Sequence, residues 1–182
     1  MFERLSISDV ILVTPKRHGD ARGFFSESFR ADTFEAAGVV GPFVQDNHAF
    51  SQEAGVLRGL HFQKTPAAQA KLIRCTQGAI YDVAVDIRRG SPSYGQYVGA
   101  ELTAENGAQL YVPEGFAHGY LTLTPNCHVQ YKVSSYYAPS EEGGIAWDDP
   151  DLGIAWPLEG RSVILSEKDQ VLPRLSDLAP VF

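Results

Sequence analysis

Two strand-like runs with an unusual polar content decide how this chain folds: Leu57-Arg58-Gly59-Leu60-His61-Phe62-Gln63 and, further along, Val112-Pro113-Glu114-Gly115-Phe116-Ala117-His118-Gly119-Tyr120-Leu121. Each run places a histidine among apolar residues of the kind that fill the core of a β-sheet protein, and the first also carries an arginine. Burying such groups without partners is costly. Histidine also accepts and donates protons near neutral pH. The two runs therefore predict a polar pocket inside a β-structure.

The length, charge and composition of the chain argue against some classes of function. The 182 residues are enough for one domain with a substantial core. A net charge of -7 argues against nucleic acid as a partner, although a small anion can still bind in a locally basic pocket. The two cysteines, Cys75 and Cys127, lie in apolar runs and are expected to be buried, reduced thiols of a cytoplasmic protein. No signal-peptide pattern and no membrane-length apolar run is found, so no membrane partner is expected.

Short strand-like runs separated by turns dominate the middle of the chain. They cover residues 70–76, 79–87, 97–102, 108–112 and 128–134. Strands at such spacing predict an antiparallel sandwich or barrel.

The flanking segments have a different character. We expect a first strand over residues 6–14, a short helix over 33–37 that is capped by Asp32, and a modest helix over 166–172. The expected organisation is a single domain over residues 1–182. It has N-terminal strands and a short helix to about residue 50, a barrel core over about 51–137, and a loop-rich C-terminal segment over about 138–182.

Alternation along the strands predicts which side chains meet. Asp82 and Asp86 share one face of their strand, and Tyr131 is expected to face a barrel interior with Val129 and Val133. Arg58 and His61 are three residues apart, so a regular strand would point them to opposite faces. If both line one pocket, the intervening glycine must permit an irregularity.

The spacing Gly107-x5-Pro113-x-Gly115-x2-His118 resembles the second signature of the cupin superfamily, with Thr122 where an asparagine would complete it. The resemblance implies a mainly β, double-stranded β-helix (jelly-roll) barrel with a few short helices. Many cupins bind a metal through a His-x-His motif, but His61 stands alone and the chain has no His-x-His. Because a transition-metal site usually needs about three protein ligands, we expect no metal and interpret His118 as a hydrogen-bonding group.

Further sequence blocks resemble the dTDP-4-dehydrorhamnose 3,5-epimerase family of that superfamily. The blocks include residues 20–27, 45–48, 58–63, 69–72, 78–88, 116–119, 131–132, 136–139 and 147–150. The chain departs from the family pattern at Phe62, where tyrosine is common, and at Tyr120, where phenylalanine is common. Neither departure touches a proposed catalytic group.

The resemblance implies a cofactor-independent, homodimeric enzyme that converts dTDP-4-dehydro-6-deoxyglucose to dTDP-4-dehydro-L-rhamnose. Carbons 3 and 5 flank the C4 ketone, so a base on one face and an acid on the other can invert both. By the same resemblance His61 is the base, Asp169 orients it, Tyr131 is the acid, and Lys71 stabilises the enolate oxygen.

The resemblance also implies a set of substrate contacts, with Arg58 and His118 near the sugar and phosphates and Tyr137 stacked on the thymine. Some nucleotide contacts can come from a neighbouring subunit. The full set is Arg22, Glu27, Gln45, Asn47, Arg58, Gln63, Lys71, His118, Tyr137, Glu142 and Lys168.

Three alternatives remain open at this point. The first is a related nucleotide-sugar 5-epimerase, 3-epimerase or ketoisomerase. The second is a non-catalytic cupin that only binds a sugar nucleotide. The third is a metal-dependent cupin oxygenase or isomerase. Isotope exchange at the sugar carbons separates the first two from the family activity, and metal analysis tests the third.

Overall fold

The computed structural model describes residues 1–182 and contains thirteen β-strands, one short α-helix and three 3-10 turns. The strands are β1 (Phe2–Arg4), β2 (Ile11–Val13), β3 (His18–Asp20), β4 (Gly23–Phe25), β5 (Gln45–Ser51), β6 (Leu57–Gln63), β7 (Lys71–Gln77), β8 (Ala79–Asp86), β9 (Tyr97–Thr103), β10 (Gln109–Val112), β11 (Phe116–Thr122), β12 (Cys127–Val133) and β13 (Glu142–Gly144). The helix α1 spans Ala31–Ala36, and the 3-10 turns cover Pro139–Glu141, Asp169–Val171 and Leu175–Asp177.

Two antiparallel sheets form the body of the molecule. The larger sheet has the strand order β1-β2-β10-β7-β12-β5, and the smaller has the order β13-β6-β11-β8-β9. Strands β3 and β4 form a separate hairpin. The mainly β, antiparallel architecture predicted from the sequence is confirmed. The first fifty residues supply β1, β2 and most of β5 to the larger sheet, so the barrel draws on more of the chain than residues 51–137.

The smaller sheet is covered on both faces. Ile80 and Ala84 of β8 pack between the two sheets, whereas Val83 and Val85 pack outward against residues of the C-terminal segment such as Leu152. A strand covered on both sides needs apolar residues at nearly every position. The inward-facing exceptions on β8 are Asp82 and Asp86, which are both fully buried and which share one face of the strand, as the alternation predicted.

Three local predictions were wrong. Residues 6–14 do not form one strand, because a turn closed by the Val10 amide and the Ile7 carbonyl (3.0 Å) separates β1 from β2. The helix begins at Ala31, and Asp32 does not cap it because its carboxylate lies inside the first turn and binds Arg30. The helix expected over 166–172 is only the 3-10 turn Asp169–Val171, because so short a segment ahead of Pro173 cannot sustain an α-helix.

An irregularity at Gly59 shapes the pairing of β6 with β11. His118 faces His61 and Tyr120 faces Arg58, so two steps along β11 match three steps along β6. The extra residue turns Arg58 and His61 toward the same interior, which confirms the predicted irregularity. Gly59 has φ +126°, and a Cβ there would lie 2.6 Å from the Gly119 Cα.

Thr122, which replaces the asparagine of the cupin signature, has a structural role. Its hydroxyl accepts a hydrogen bond from the Val56 amide (2.9 Å) and donates one to the Glu53 carbonyl (2.8 Å). These bonds fix the segment in which the chain crosses from β5 in one sheet to β6 in the other. None of the helices has the length and apolar character needed to span a membrane.

The close approach at Gly59 generates a stability prediction. Replacing Gly59 with alanine would place a Cβ 2.8 Å from the His118 carbonyl oxygen as well as against Gly119, so the sheet would have to move. We expect Gly59→Ala to lower the free energy of unfolding by about 3 kcal/mol or more, measured by urea denaturation.

Gly90 provides the matched control. It also has a positive φ of +94°, but nothing lies within 4 Å of the position that a Cβ would occupy there. Gly90→Ala should therefore cost only about 1 kcal/mol, from backbone strain alone. Equal losses in the two variants would show that the β6–β11 contact is not the constraint inferred here.

Candidate active site

A cavity of about 420 Å³ opens between the two sheets, within the size range of small-molecule sites. It continues into a second space of about 260 Å³, and both are lined by His61, Lys71 and Tyr131. The polar residues around the larger space are Arg58, His61, Lys71, His118, Tyr120, Tyr131, Ser166, Lys168 and Asp169.

The structure brings together the four residues expected to share one cavity. His61 and His118 lie on β6 and β11 of the smaller sheet, whereas Lys71 and Tyr131 lie on β7 and β12 of the larger sheet. The two histidines therefore form one wall and the lysine and tyrosine the opposite wall. A molecule held between them can exchange protons on either of its faces.

His61 is paired with a buried carboxylate. Its Nε2 lies 2.7 Å from Asp169 Oδ1, and Asp169 is 5% exposed. The Gly59 amide donates to Asp169 Oδ2, so both carboxylate oxygens are engaged, and the Asp169 backbone amide donates to the Ser166 hydroxyl. When Nε2–H donates to Asp169, the lone pair of Nδ1 is left to accept a proton. Burial lowers the pKa of His61 more than Asp169 raises it, so the ring is neutral near pH 7.

His118 has a similar partner that the sequence did not reveal. Its Nε2 lies 2.8 Å from Asp82 Oδ1, and Asp82 is fully buried. His118 is also the direct cross-strand neighbour of His61. The available signal was the placement of Asp82 and Asp86 on one face of an otherwise apolar strand, to which the sequence analysis assigned no role.

Lys71 is the most strongly perturbed base of the cavity. Its ammonium donates to the His61 carbonyl (3.2 Å), the one hydrogen bond that it makes. Burial lowers the pKa of Lys71 to about 8, although Asp82 and Glu142 partly offset the effect. The group is therefore protonated at neutral pH but close to its titration, with donors free to point toward a ligand.

Tyr131 and Arg58 add a proton donor and an anchored cation to the cavity. Burial raises the pKa of Tyr131, so its hydroxyl stays protonated at neutral pH. Arg58 donates to the Phe50 carbonyl (3.1 Å) and to Ser51 Oγ (3.4 Å), across the gap between the sheets. With Lys71 and Arg58 in its walls, the cavity is locally basic in an acidic protein.

The second space contains most of the remaining residues predicted for substrate binding. Gln45 donates to Asn47 Oδ1 (3.0 Å) and accepts from the Tyr137 amide (3.1 Å). The Tyr137 hydroxyl donates to Glu142 (2.9 Å), which also pairs with Lys168. The Tyr137 ring, which is 54% exposed, lies at the mouth of this space.

Gln63 lines the same space, but its amide group is occupied by the backbone. It donates to the Ala67 carbonyl (2.7 Å) and the Tyr136 carbonyl (3.2 Å), and accepts from the Ala138 amide (2.8 Å). Its hydrogen bonds thus hold the segment that carries Tyr137.

Arg22 and Glu27 are not brought to this cavity. Arg22 lies in the β3–β4 hairpin with its side chain 90% exposed and paired with Asp20, and Glu27 is exposed just beyond the hairpin. Phe24 and Phe25 of the same hairpin are 60% and 72% exposed.

No group of three or more histidine, cysteine, aspartate or glutamate side chains is arranged to hold a metal ion. Cys75 and Cys127 are buried free thiols, as expected.

Comparison with known proteins adds to this geometry. The sequence model of the dTDP-4-dehydrorhamnose 3,5-epimerase family matches residues 4–177. The Sinorhizobium fredii protein of that name is 50% identical over 181 residues, covering 100% of this chain and 92% of the relative. The Salmonella typhimurium protein of that name is 51% identical over 173 residues, covering 94% of this chain and 93% of the relative.

Solved structures agree with the sequence matches. The dTDP-6-deoxy-D-glucose-3,5-epimerase of Legionella pneumophila, in complex with dTDP-4-keto-L-rhamnose, has a TM-score of 0.94 and 44% identity, covering 98% of this chain and 94% of the other. A 3'-monoepimerase of Streptomyces bikiniensis, in complex with dTDP-quinovose, has a TM-score of 0.88 and 39% identity, covering 94% and 86%. With the family match spanning nearly the whole sequence, this chain belongs to the dTDP-4-dehydrorhamnose 3,5-epimerase family.

Proposed function

We propose that this protein epimerises dTDP-4-dehydro-6-deoxyglucose at C3 and C5 to give dTDP-4-dehydro-L-rhamnose, without a cofactor, in the cytoplasm. The observation that carries the proposal is the pairing of a histidine–aspartate base and a protonated tyrosine on opposite walls of one cavity. Family membership supports the substrate class.

His61 starts each inversion. The C4 ketone acidifies the protons on C3 and C5, and Nδ1 of the neutral imidazole takes one of them. The imidazolium that forms is stabilised by Asp169, which holds Nε2–H at 2.7 Å. The electron pair left on carbon moves into the C4 carbonyl and gives an enolate.

Lys71 and Tyr131 complete the step from the other wall. The Lys71 ammonium stabilises the negative charge that develops on the C4 oxygen. The Tyr131 hydroxyl then delivers a proton to carbon from the face opposite His61, and the carbonyl reforms. Proton exchange with solvent returns histidine and tyrosine to their starting states, so only the configuration at carbon has changed.

The nucleotide half of the substrate fits the rest of the cavity. Arg58 and His118 lie where they can contact the diphosphate and the adjoining sugar, and the exposed face of Tyr137 can stack on thymine. Gln45, Asn47 and Glu142 line the second space, and Lys168, which lines the larger space, pairs with Glu142.

A second candidate is inversion at C3 alone. It is favoured by the likeness to the 3'-monoepimerase of Streptomyces bikiniensis. A protein that only binds the sugar nucleotide is opposed by the cavity itself, because a binder has no need for a desolvated lysine beside a histidine–aspartate base.

Isotope exchange tests the reaction and its two proton-transfer groups. We expect wild-type protein in heavy water with EDTA to place deuterium at both C3 and C5 of the dTDP-4-dehydro sugar, detected by NMR. His61→Ala should lose exchange at both carbons by roughly 10²- to 10⁴-fold, because the base is gone. Tyr131→Phe should still incorporate deuterium, because His61 can remove and return the proton on one face. Inversion of configuration should be suppressed, most clearly at C5.

Each alternative gives a different result in the same assay. Deuterium at C3 alone identifies a monoepimerase, and none at either carbon identifies a binder. Inversion by Tyr131→Phe at the wild-type rate would show that Tyr131 only packs in the core. Activity lost in EDTA and restored by a divalent metal would refute the metal-free mechanism.

The exposed hairpin supports a homodimer in which Arg22 enters the neighbouring subunit's cavity. Arg22 does not reach the cavity of its own chain, and Phe24 and Phe25 present a large apolar surface beside it. Such surface is unusual unless a partner covers it.

Subunit mixing tests the shared site. Arg22→Ala and His61→Ala are each expected to be nearly inactive as pure proteins. When equal amounts of the two variants exchange subunits at random, half of the dimers are mixed and one site of each regains both residues, so activity should return toward about a quarter of wild type, measured as product formation against mixing time. If the activity of the mixture never exceeds the activities of the two pure variants added together, the site is not shared between subunits.

The burial of Lys71 leads to a prediction in which replacing the residue abolishes activity but stabilises the folded protein. Lys71 has a pKa of about 8 in the folded protein against an ordinary 10.5, so below pH 8 its charge costs about 3 kcal/mol of folding free energy. Lys71→Met should therefore be inactive yet unfold at higher denaturant than wild type at pH 7. Between pH 8 and 10.5 the unfolded state binds more protons, so wild type gains stability and the difference should shrink.

Lys16→Met serves as its control, because Lys16 is exposed and lines neither space of the cavity. It should leave both activity and the pH dependence of unfolding unchanged. If Lys71→Met is no more stable than wild type at pH 7, the buried charge of Lys71 does not destabilise the folded protein, and the prediction is refuted.

A further inference from the structure

His118 uses one ring nitrogen within the protein and leaves the other to a ligand. Its Nε2 lies 2.8 Å from Oδ1 of the fully buried Asp82. Its Nδ1 makes no hydrogen bond within the protein, yet it is not among the buried side-chain atoms that lack a partner, which are the Tyr120 hydroxyl and Asp82 Oδ2. Because His118 lines the larger space of the cavity, Nδ1 is the ring atom that a bound molecule can reach.

The surroundings of this free ring nitrogen favour an anionic ligand. Arg58, Lys71 and Lys168 line the same space. The one carboxylate that lines it, that of Asp169, is already bonded to His61. In the proposed substrate the lasting negative charges are on the diphosphate, because the charge on the C4 oxygen exists only during the reaction. A diphosphate oxygen is therefore the group that fits this atom.

An imidazole between two anions needs an N–H group on each side. When Nε2–H of His118 donates to Asp82, Nδ1 of the neutral ring presents a lone pair, which repels a phosphate oxygen. The other tautomer can donate from Nδ1, but it then presents the Nε2 lone pair to the Asp82 carboxylate. Both contacts are favourable only when the histidine–aspartate pair has gained one proton.

We propose that His118 takes up one proton from solvent when the diphosphate of the sugar nucleotide binds at Nδ1, and that Asp82 is the positioning residue that makes this proton necessary. The inference rests on the proposed function. Asp82 lines neither space of the cavity, so it acts only through the His118 ring. Only an N–H bond forms, and the proton returns to solvent when the product leaves.

Other ionisable groups near His118 limit the pH at which the uptake can be measured. Those that face it from the surrounding strands and the C-terminal segment are Arg58, His61, Lys71, Asp82, Tyr120, Tyr131, Lys168 and Asp169. Burial raises the pKa of both tyrosines, so they stay protonated. Burial lowers the pKa of Lys71 to about 8, so at pH 7 only about a tenth of Lys71 can gain a proton. The His61–Asp169 pair is the remaining competitor.

Calorimetry with dTDP-glucose measures the uptake directly. This probe has no C4 ketone, so it is not epimerised, and its diphosphate is linked on both sides and does not titrate near neutral pH. Titrations at pH 7 in buffers of different ionisation enthalpy should give an uptake of about 0.5 to 1 proton per site for wild type. The complex binds more protons than the free protein, so affinity should fall by up to about tenfold per unit as pH rises around 7.

Two variants should remove the coupling. His118→Gln has no titrating ring at this position. In Asp82→Asn the amide can turn and donate to Nε2, so the tautomer with Nδ1–H contacts the phosphate without an added proton. Uptake should fall below about 0.2 proton in both variants, and their affinity for dTDP-glucose should become nearly independent of pH around 7.

Asp86→Asn is the matched control, because Asp86 is equally buried on the same face of β8 but is bonded to Arg88 and Ser91 rather than to a histidine. It should keep the wild-type proton uptake, and so should His61→Asn. Nitrogen-15 NMR of the wild-type histidines provides a measurement without substitution. In the complex both ring nitrogens of His118 should carry a proton.

The inference is overturned if wild type binds dTDP-glucose without gaining a proton, or if the uptake persists in His118→Gln or is lost in His61→Asn. Uptake that survives in Asp82→Asn would refute the positioning role of Asp82. Failure of wild type to bind dTDP-glucose at all would instead refute the proposed function.

Discussion

The site depends on the close approach of the β6 and β11 backbones at Gly59 and Gly119. A Cβ at Gly119 would lie 2.8 Å from the Arg58 carbonyl oxygen, so neither strand can carry a side chain at this contact without moving. The contact accommodates the extra residue of β6 that turns Arg58 and His61 to the same side. In a regular strand one of the two would lie on the outer face with Leu60, in an apolar cluster that offers a charge no partner.

The ionisable groups of the cavity differ in how their burial is compensated. His61 and His118 each have a buried carboxylate as partner, whereas Lys71 has a single backbone carbonyl. Such an incompletely solvated lysine is destabilising at neutral pH, and the protein tolerates it where negative charge is to develop in the reaction. The rest of the barrel interior includes a cluster of fully buried apolar residues, such as Leu102 and Leu110.

The strands were predictable because their signals are local. Alternation and turn residues located β8 and β12 within about a residue, placed Asp82 and Asp86 on one face, and turned Tyr131 toward the barrel interior. Contacts between distant segments left no such signal. The bond from His118 to Asp82 joins residues 36 positions apart and depends on strand register, and Asp169 reaches His61 on a 3-10 turn that local propensity had extended into a helix. The role of Asp169 followed only from the family resemblance.

The residues proposed for proton transfer and those proposed for nucleotide binding lie on different parts of the fold. His61, Lys71 and Tyr131 lie on β6, β7 and β12, each hydrogen-bonded to a strand on both sides. Proton transfer requires positions accurate to a fraction of an ångström, which interior strands provide. Arg58 and His118, the proposed diphosphate contacts, also lie on paired strands, whereas other proposed nucleotide contacts lie on the rim, on the segment of Tyr137 and on the hairpin of Arg22. Contact with a stacked base tolerates more movement, so substitutions in the rim should alter affinity, while substitutions of His61, Lys71 and Tyr131 alter chemistry.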